Sequence, residues 1–164
     1  ATKSIYACLG NDNNQIDLVV PTNSINDMDS GFSQLIDELT KKGIKVHTAN
    51  LTPYFGRLGR KYGISIPLLK WFNTNIEEYD VIHCHSAWGA PTVYSIFQAQ
   101  RKNIPIVLTT HESLTSFDIQ SSGNYITQFI KHILKKILVL YVSTIIFSSN
   151  LDLPLTSSCT FYKI

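Results

Sequence analysis

Cysteine, charge and long apolar stretches are all scarce in this sequence, and each shortage excludes a class of protein. Three cysteines in 164 residues are odd in number and widely spaced, which excludes a disulfide framework and indicates a reducing compartment. Charged residues make up 16% of the chain and the formal net charge is +2, too small a surplus to argue for a nucleic-acid partner. The N-terminus has no continuous apolar stretch of the kind that forms a signal peptide. We therefore expect a cytoplasmic protein with no nucleic-acid partner.

Membrane spans and the short motifs of common catalytic sites are also missing. The longest apolar run covers residues 137–147, is interrupted by Ser143 and Thr144, and falls short of the ~18 residues that a membrane span needs. The chain contains no Walker loop, no Gly-x-Ser-x-Gly motif and no paired-cysteine metal motif. Its hydrophobic fraction of 44% is nevertheless enough for a globular domain with a sizeable core.

Short apolar strand patterns alternate with amphipathic helix patterns along the chain. Strand patterns occupy residues 16–20, 44–49, 79–84, 105–110 and 143–147, and helix patterns occupy residues 32–39, 90–101 and 124–139. This alternation predicts an α/β fold with a doubly wound, mostly parallel sheet and right-handed crossovers. We expect a single domain over residues 1–164. Residues 4–9 could add a strand, whereas the tail at 151–164 has no clear pattern.

Two segments combine basic residues with aromatic or apolar ones. Residues 50–75 interleave arginines and lysines with aromatic side chains, and residues 124–139 form a strongly amphipathic helix that carries Lys131, Lys135 and Lys136. Both segments could simply cover the domain while their basic side chains extend to water. Alternatively, both could lie on an anionic lipid surface. A peripheral membrane contact is therefore one expectation.

Protonatable side chains follow two of the predicted strands at the point where each strand ends. His83, His85 and Ser86 come at the end of one strand, and His111 follows the next. The carboxyl ends of parallel strands form the crevice in which open sheets bind their ligands. Cys84 lies between the two histidines and should point to the opposite face of the sheet, which argues against a Cys–His nucleophile.

The histidines allow three interpretations. As a metal site, His83 and His85 would need further contributions from His111 and Glu112. As crevice groups, they would bind hydroxyl or phosphate groups of a ligand, since imidazole donates and accepts hydrogen bonds near neutral pH. As structural groups, they would only complete the end of a strand. Their spacing does not choose between the three.

Four segments, taken in order, resemble the N-terminal half of a GT-B glycosyltransferase of the large retaining family 4. They follow a loop that carries Gly31 in front of a helix, and they read LTKKGIKV at 39–46, DVIHCHS at 80–86, IPIVLTTHE at 104–112 and STIIFSS at 143–149. The resemblance covers residues 16 to about 150. It implies a Rossmann-like, acceptor-side domain.

The resemblance also implies roles for individual residues. Gly31 corresponds to the loop that approaches the donor diphosphate, although Ser30 stands where the family usually has another glycine. His111 corresponds to the catalytic histidine near the reacting sugar. Retaining members of the family need no metal, so we expect neither a metal nor a cofactor. The nucleotide-diphosphate sugar is the donor substrate. Further substrate contacts are expected at His85, Ser86, Trp88, Tyr94 and Glu112.

A GT-B enzyme has a second domain that makes most of the nucleotide-sugar contacts, and nothing after Asn150 resembles one. The chain could therefore be a fragment, a natural half that pairs with a donor-binding subunit, or a degenerate protein. We expect it to serve transfer of a sugar to a lipid-linked or polysaccharide acceptor, and to have little or no activity alone. The alternatives are a non-catalytic binding or scaffold module of the same fold, and a metal hydrolase built on the three histidines.

Overall fold

The computed structural model describes residues 15–22, 30–110, 113–146 and 159–163. The strands are β1 (Gln15–Thr22), β2 (Lys45–Asn50), β3 (Val81–His85), β4 (Ile106–Thr109), β5 (Thr144–Ile146) and β6 (Cys159–Lys163). The α-helices are α1 (Ser30–Lys41), α2 (Gly56–Tyr62), α3 (Ile66–Asn75), α4 (Ala90–Lys102), α5 (Ser116–Gln120) and α6 (Tyr125–Tyr141). Short 3-10 helices at Pro53–Phe55 and Ile76–Glu78 precede α2 and follow α3.

The described strands form one six-stranded sheet in the order β2-β1-β6-β3-β4-β5. The pairs β1–β2, β3–β4 and β4–β5 are parallel, and β6 runs antiparallel to both β1 and β3. Because β6 is antiparallel to both of its neighbours, β1 to β5 all point the same way and their carboxyl ends share one edge. The prediction of an α/β fold with a mostly parallel sheet is confirmed.

Strand β6 is the main correction to the sequence analysis, which found no pattern in the tail. It lies inside the sheet, where Phe161 pairs with Asp17 on one side and with Ile82 on the other. Residues 159–162 are all buried, so the strand shows none of the polar–apolar alternation that marks a strand with one solvated face. The strand suggested for residues 4–9 lies outside the described residues.

Helix boundaries follow the capping residues closely. Helix α4 has Pro91 in its first turn and is capped at its C-terminus by Asn103, which adopts the left-handed conformation with φ 56°. Asn124 caps α6 by accepting a hydrogen bond from the backbone N–H of Thr127 at 2.8 Å. The helices predicted at 90–101 and 124–139 are confirmed to within two residues. Within the described ranges, no helix is both long enough and apolar enough to cross a bilayer.

The basic and aromatic segment at 50–75 contains two helices that are joined by a tight turn. Gly63 follows α2 in the left-handed conformation at φ 67°, which glycine adopts without strain and which ends the helix there. Ser65 then caps α3 by accepting from Leu68 N–H at 3.2 Å. The same hydroxyl donates to the carbonyl of Asn50 at 2.7 Å, which fixes α3 against the end of β2.

Apolar side chains pack on both faces of the sheet. One cluster joins Phe72 of α3 and Ile96 of α4 to Ile82 and Phe161 of the central strands. A second cluster joins Leu39 of α1 to apolar residues of β1. The sheet is therefore covered on both faces beneath its carboxyl edge.

Candidate functional site

The carboxyl ends of β3, β4 and β5 are aligned at one edge of the sheet. His85 at the end of β3 pairs with Thr109 at the end of β4. The Ser86 N–H donates to the Thr109 carbonyl at 2.9 Å, and the Thr110 N–H donates to the Ile146 carbonyl at 3.0 Å. Ser86 adopts φ 68°, a conformation that non-glycine residues rarely take and that is often found at functional sites. The chain thus turns sharply at the point where the strands end.

Hydrogen bonds hold the loop after β3 against the loop after β4. The Ala87 N–H donates to the Ser113 hydroxyl at 3.4 Å. Ser113 in turn donates its backbone N–H to the Thr110 carbonyl at 2.8 Å, and its hydroxyl contacts the same carbonyl. Thr92, in the first turn of α4, donates to the carbonyl of His85 at 3.4 Å. These bonds make the edge a fixed wall.

The two histidines of β3 lie side by side inside this wall. Their ring centroids are 4.3 Å apart, and His83 Nε2 is 2.8 Å from the Thr109 hydroxyl. His85 is only 1% exposed, so the structure places it behind the edge and not on the surface of a cleft. Cys84 points to the opposite face, as predicted, with its Sγ 3.1 Å from that of Cys159. Burial raises the pKa of the Cys84 thiol, which makes it a poor nucleophile.

An open cleft of about 340 Å³ lies against the loop after β3. Ser86 and Trp88 form its inner side, Lys61 and Tyr62 at the end of α2 form a second side, and the corner between α5 and α6 closes it. The cleft-facing side chains of that corner are Asp118, Ser121, Ser122, Thr127 and Lys131. Most of these side chains are polar.

Asp118 organises the corner of the cleft. Its Oδ2 accepts the indole N–H of Trp88 at 2.7 Å and the ammonium of Lys131 at 3.0 Å. The Lys131 Nζ also lies 4.8 Å from the centroid of the Trp88 ring, within the range of a cation–π contact. Both hydrogen bonds use Oδ2, and among the described residues none bonds to Oδ1. That oxygen is available to accept a hydrogen bond from a ligand hydroxyl.

Two lysines and one carboxylate give the cleft a net positive charge. Lys61 is exposed at the cleft, whereas the side chain of Lys131 is mostly buried, with 13% exposed. Serine and threonine hydroxyls complete the lining. Ser121 and Ser122 donate theirs to the Asp118 carbonyl at 3.1 and 2.7 Å, so toward a ligand they would act as acceptors. The arrangement suits a ligand with many hydroxyl groups and an anionic group.

A second polar cluster lies inside the sheet, away from the carboxyl edge. Asp17 of β1 is buried and accepts hydrogen bonds from His47 Nε2 and from the Tyr79 hydroxyl, both at 2.7 Å. Burial acts to raise the pKa of Asp17, but the hydrogen bonds from Tyr79, His47 and Gln15 outweigh it and hold that pKa below its ordinary value. Since the bonds that hold the Asp17 carboxylate are all made within the fold, we assign this cluster a structural role.

The remaining predicted site residues are placed as follows. Gly31 is exposed in the first turn of α1, at the same edge as Ser86 but on the far side of β6. The hydroxyl of Tyr94 donates to the side-chain oxygen of Asn73 at 2.8 Å, so it ties α4 to α3. His111 and Glu112 lie outside the described residues, and their roles stay predictions. Among the residues that are described, no group of three or more His, Cys, Asp or Glu side chains could hold a metal ion.

Asp118 and Lys61 line the cleft although no sequence motif predicts them there, and the helical pattern predicts for Lys131 only a position on the surface of α6. One signal pointed to Asp118, because it is the only acidic residue in the stretch 113–146. The pairing of Asp118 with Trp88 joins positions 30 apart in the chain, and no local pattern reveals it.

Comparison with known protein families identifies a family for this chain. The family described as Glycosyltransferase Family 4 matches residues 7–150, which is most of the chain. No curated protein and no solved structure matches the chain.

Proposed function

The chain belongs to glycosyltransferase family 4, and from this we propose that it binds the acceptor of a sugar transfer in the cleft beside Trp88. The donor would be a nucleotide-diphosphate sugar, and the acceptor a lipid-linked glycan or a polysaccharide. The reaction would retain the configuration at the anomeric carbon. The observation that carries the proposal is the Trp88–Asp118–Lys131 arrangement at the carboxyl edge of the sheet.

The chemistry of the cleft supports a carbohydrate ligand. An aromatic ring, a carboxylate and several hydroxyls are the groups that bind the apolar faces and the hydroxyls of sugars. Asp118 Oδ1 is oriented by two bonds to its sister oxygen, so it can accept from a sugar hydroxyl without rearranging. The volume of about 340 Å³ lies within the ~300–1,000 Å³ range of small-molecule sites.

The lysines support an anionic group on the acceptor. Lys61 and Lys131 lie on two sides of the same cleft, and Asp118 balances only one of their two positive charges. Ammonium groups bind phosphate oxygens through charge-assisted hydrogen bonds. In a sugar joined through a phosphate to a carrier, the sugar would contact Trp88 and Asp118, and the phosphate would contact the two lysines.

The proposed division of labour leaves the donor nucleotide to a second domain or subunit. The Gly31 backbone at the start of α1 would approach the diphosphate, and His111 would contact the transferred sugar. Catalysis would then depend on positioning and on stabilisation of the departing charge. His85, which is buried behind Ser86, would support the wall of the cleft and not touch the acceptor. Without the second domain or subunit, we expect little or no transfer.

The test is reconstitution. The chain is extended by the donor-binding domain of a family member, and sugar transfer is measured with a panel of nucleotide sugars and acceptors. His111→Ala should lower the rate by at least ~10²-fold, and Asp118→Asn should raise the KM for the acceptor. Asp37→Asn, which changes an exposed carboxylate on α1, is the matched control. Equal turnover in all four proteins would refute the assignment. Acceptor binding without any turnover would favour the non-catalytic binding module.

A further inference from the structure

Two cysteines from distant parts of the chain meet in the core of the sheet. Cys84 of β3 and Cys159 of β6 are both fully buried, and their sulfur atoms lie 3.1 Å apart. Neither residue lines the cleft beside Trp88, so the proposed function gives the pair no role. Two thiols in such close contact can be joined by oxidation.

The register of the sheet places the two cysteines directly opposite each other. Strands β3 and β6 are antiparallel, and Cys84 pairs with Cys159. Directly opposite residues of an antiparallel pair have Cα atoms ~4.5–5.5 Å apart and point to the same face. That separation lies within the ~4.4–6.8 Å over which a disulfide forms. The two sulfurs would need to approach by only about 1 Å to reach the bonded distance of ~2.05 Å.

Helix α4 places a hydroxyl group next to the pair. Ser95 is fully buried, and its hydroxyl oxygen lies 3.5 Å from the Cys159 sulfur. A hydroxyl can donate to an ionised sulfur, and the thiolate is the form of cysteine that reacts with oxidants. We therefore expect Cys159 to react first and Cys84 to act as the second thiol. The contact between the two sulfurs offsets the poor nucleophilicity of Cys84.

We propose that Cys84 and Cys159 are a modification site, at which hydrogen peroxide reversibly oxidises the two thiols to a disulfide that joins β3 to β6. In the first step, the Cys159 sulfur takes one oxygen of the peroxide, the O–O bond breaks, and a sulfenic acid and one water form. In the second step, the Cys84 sulfur attacks that sulfur, the S–O bond breaks, and the thiol proton leaves with the hydroxide as a second water. A dithiol reductant supplies two electrons and two protons and restores both thiols.

The disulfide would change how β6 is held in the sheet. In the reduced chain, hydrogen bonds and packing hold β6 between β1 and β3, so the strand can open locally and admit the oxidant. Once the bond forms, it closes a loop between positions 75 apart, and β6 can no longer leave β3. A disulfide that forms and reverses is the kind that reducing compartments allow, and the sequence predicts such a compartment.

The experiment treats the whole folded chain with hydrogen peroxide, digests it with trypsin without reduction, and identifies linked peptides by mass spectrometry. Cleavage after lysine and arginine places the three cysteines on different peptides: Cys8 on 4–41, Cys84 on 71–101 and Cys159 on 137–163. We expect a link between the peptides of Cys84 and Cys159, which dithiothreitol removes. The linked chain should melt roughly 10 °C above the reduced chain, because the cross-link restricts the unfolded state.

Matched variants separate this pair from the third cysteine. Cys8→Ser keeps the pair and should respond to peroxide as the unchanged chain does, whereas peroxide should leave the melting temperature of Cys84→Ala unchanged. Three results would overturn the proposal: no link between the two peptides, a link to Cys8 instead, or a linked chain that melts no higher than the reduced one. The unchanged chain can give any of these results, so the test holds even if Cys84→Ala does not fold.

Discussion

The indole N–H of Trp88 donates to the carboxylate of Asp118 across 2.7 Å, and this bond joins the loop after β3 to helix α5. It links two elements that the sheet does not connect, and it fixes the orientation of both side chains at the cleft. Lys131 extends the link to α6 through the same carboxylate oxygen. The cleft geometry therefore depends on a pair of residues that are far apart in sequence.

We predict that Trp88→Phe weakens acceptor binding more than it weakens the fold. Phenylalanine keeps an aromatic ring but cannot donate to Asp118, so the carboxylate loses one of its two partners and its orientation. If the misoriented carboxylate loses its own hydrogen bond to the acceptor, which for a charged group is worth ~1.5–3 kcal/mol, the affinity falls roughly 10- to 150-fold. Calorimetric titration with the acceptor measures the effect. Tyr94→Phe, which removes a hydroxyl outside the cleft, is the control, and an equal loss there would contradict the prediction.

The left-handed conformation of Ser86 leads to a second prediction. At φ 68° a serine pays a conformational cost that glycine does not, and a β-branched residue pays more. We expect Ser86→Gly to change the free energy of unfolding by less than ~1 kcal/mol and Ser86→Val to lower it by ~1–2 kcal/mol. Urea unfolding of both variants measures the difference. If valine were tolerated as well as glycine, the turn after β3 would not have the conformation described.

Much of the fold could be predicted because the relevant signals are local. The alternation of strand and helix patterns, Pro91 in the first turn of α4 and the glycine at position 63 each report on their immediate neighbours in the chain. Strand β6 could not be predicted in the same way. It is buried on both faces between strands that lie more than 70 positions away, as the contact between Cys84 and Cys159 shows.

The site was harder to predict than the fold. The position of His85 at the end of a predicted strand correctly placed it at the carboxyl edge of the sheet. Its ring, however, is buried behind Ser86. The cleft is instead lined by Asp118 and Lys131, which α5 and α6 bring to the loop after β3. A pattern in a single sequence carries no information about such long-range pairs. Asp17 could be predicted in part. A single carboxylate inside an apolar strand indicates that a buried polar partner exists, but the sequence does not identify that partner.

The central position of β6 gives a third prediction. Phe161 is fully buried between β1 and β3, in contact with Phe72 and Tyr79. Phe161→Ala should lower the free energy of unfolding by ~3–5 kcal/mol, the usual cost of removing a large aromatic side chain from a core. Lys163→Ala, at the exposed end of the same strand, should change it by less than ~0.5 kcal/mol. A small effect at Phe161 would mean that residues 159–163 do not form a central strand.

The lowered pKa of Asp17 gives a fourth prediction, on the pH dependence of stability. Because folding lowers this pKa below its ordinary value of 3.8, the ionised carboxylate stabilises the fold above that pH. The contribution should be lost as the pH falls through 3.8 and then through the lower pKa of the folded state. Urea unfolding at a series of pH values, for the unchanged chain and for Asp17→Asn, isolates it as the difference between the two curves.

That difference should shrink as the solution becomes more acidic, because the protonated carboxyl gains nothing from the fold that an amide could not also gain. Tyr79→Phe removes one of the two 2.7 Å donors and should leave a smaller difference of the same sign. Asp37→Asn, at an exposed position of α1, should leave the pH dependence unchanged. A constant difference between the two curves down to strong acid would show that the hydrogen bonds from Tyr79 and His47 do not favour the ionised form, and that Asp17 is held by packing alone.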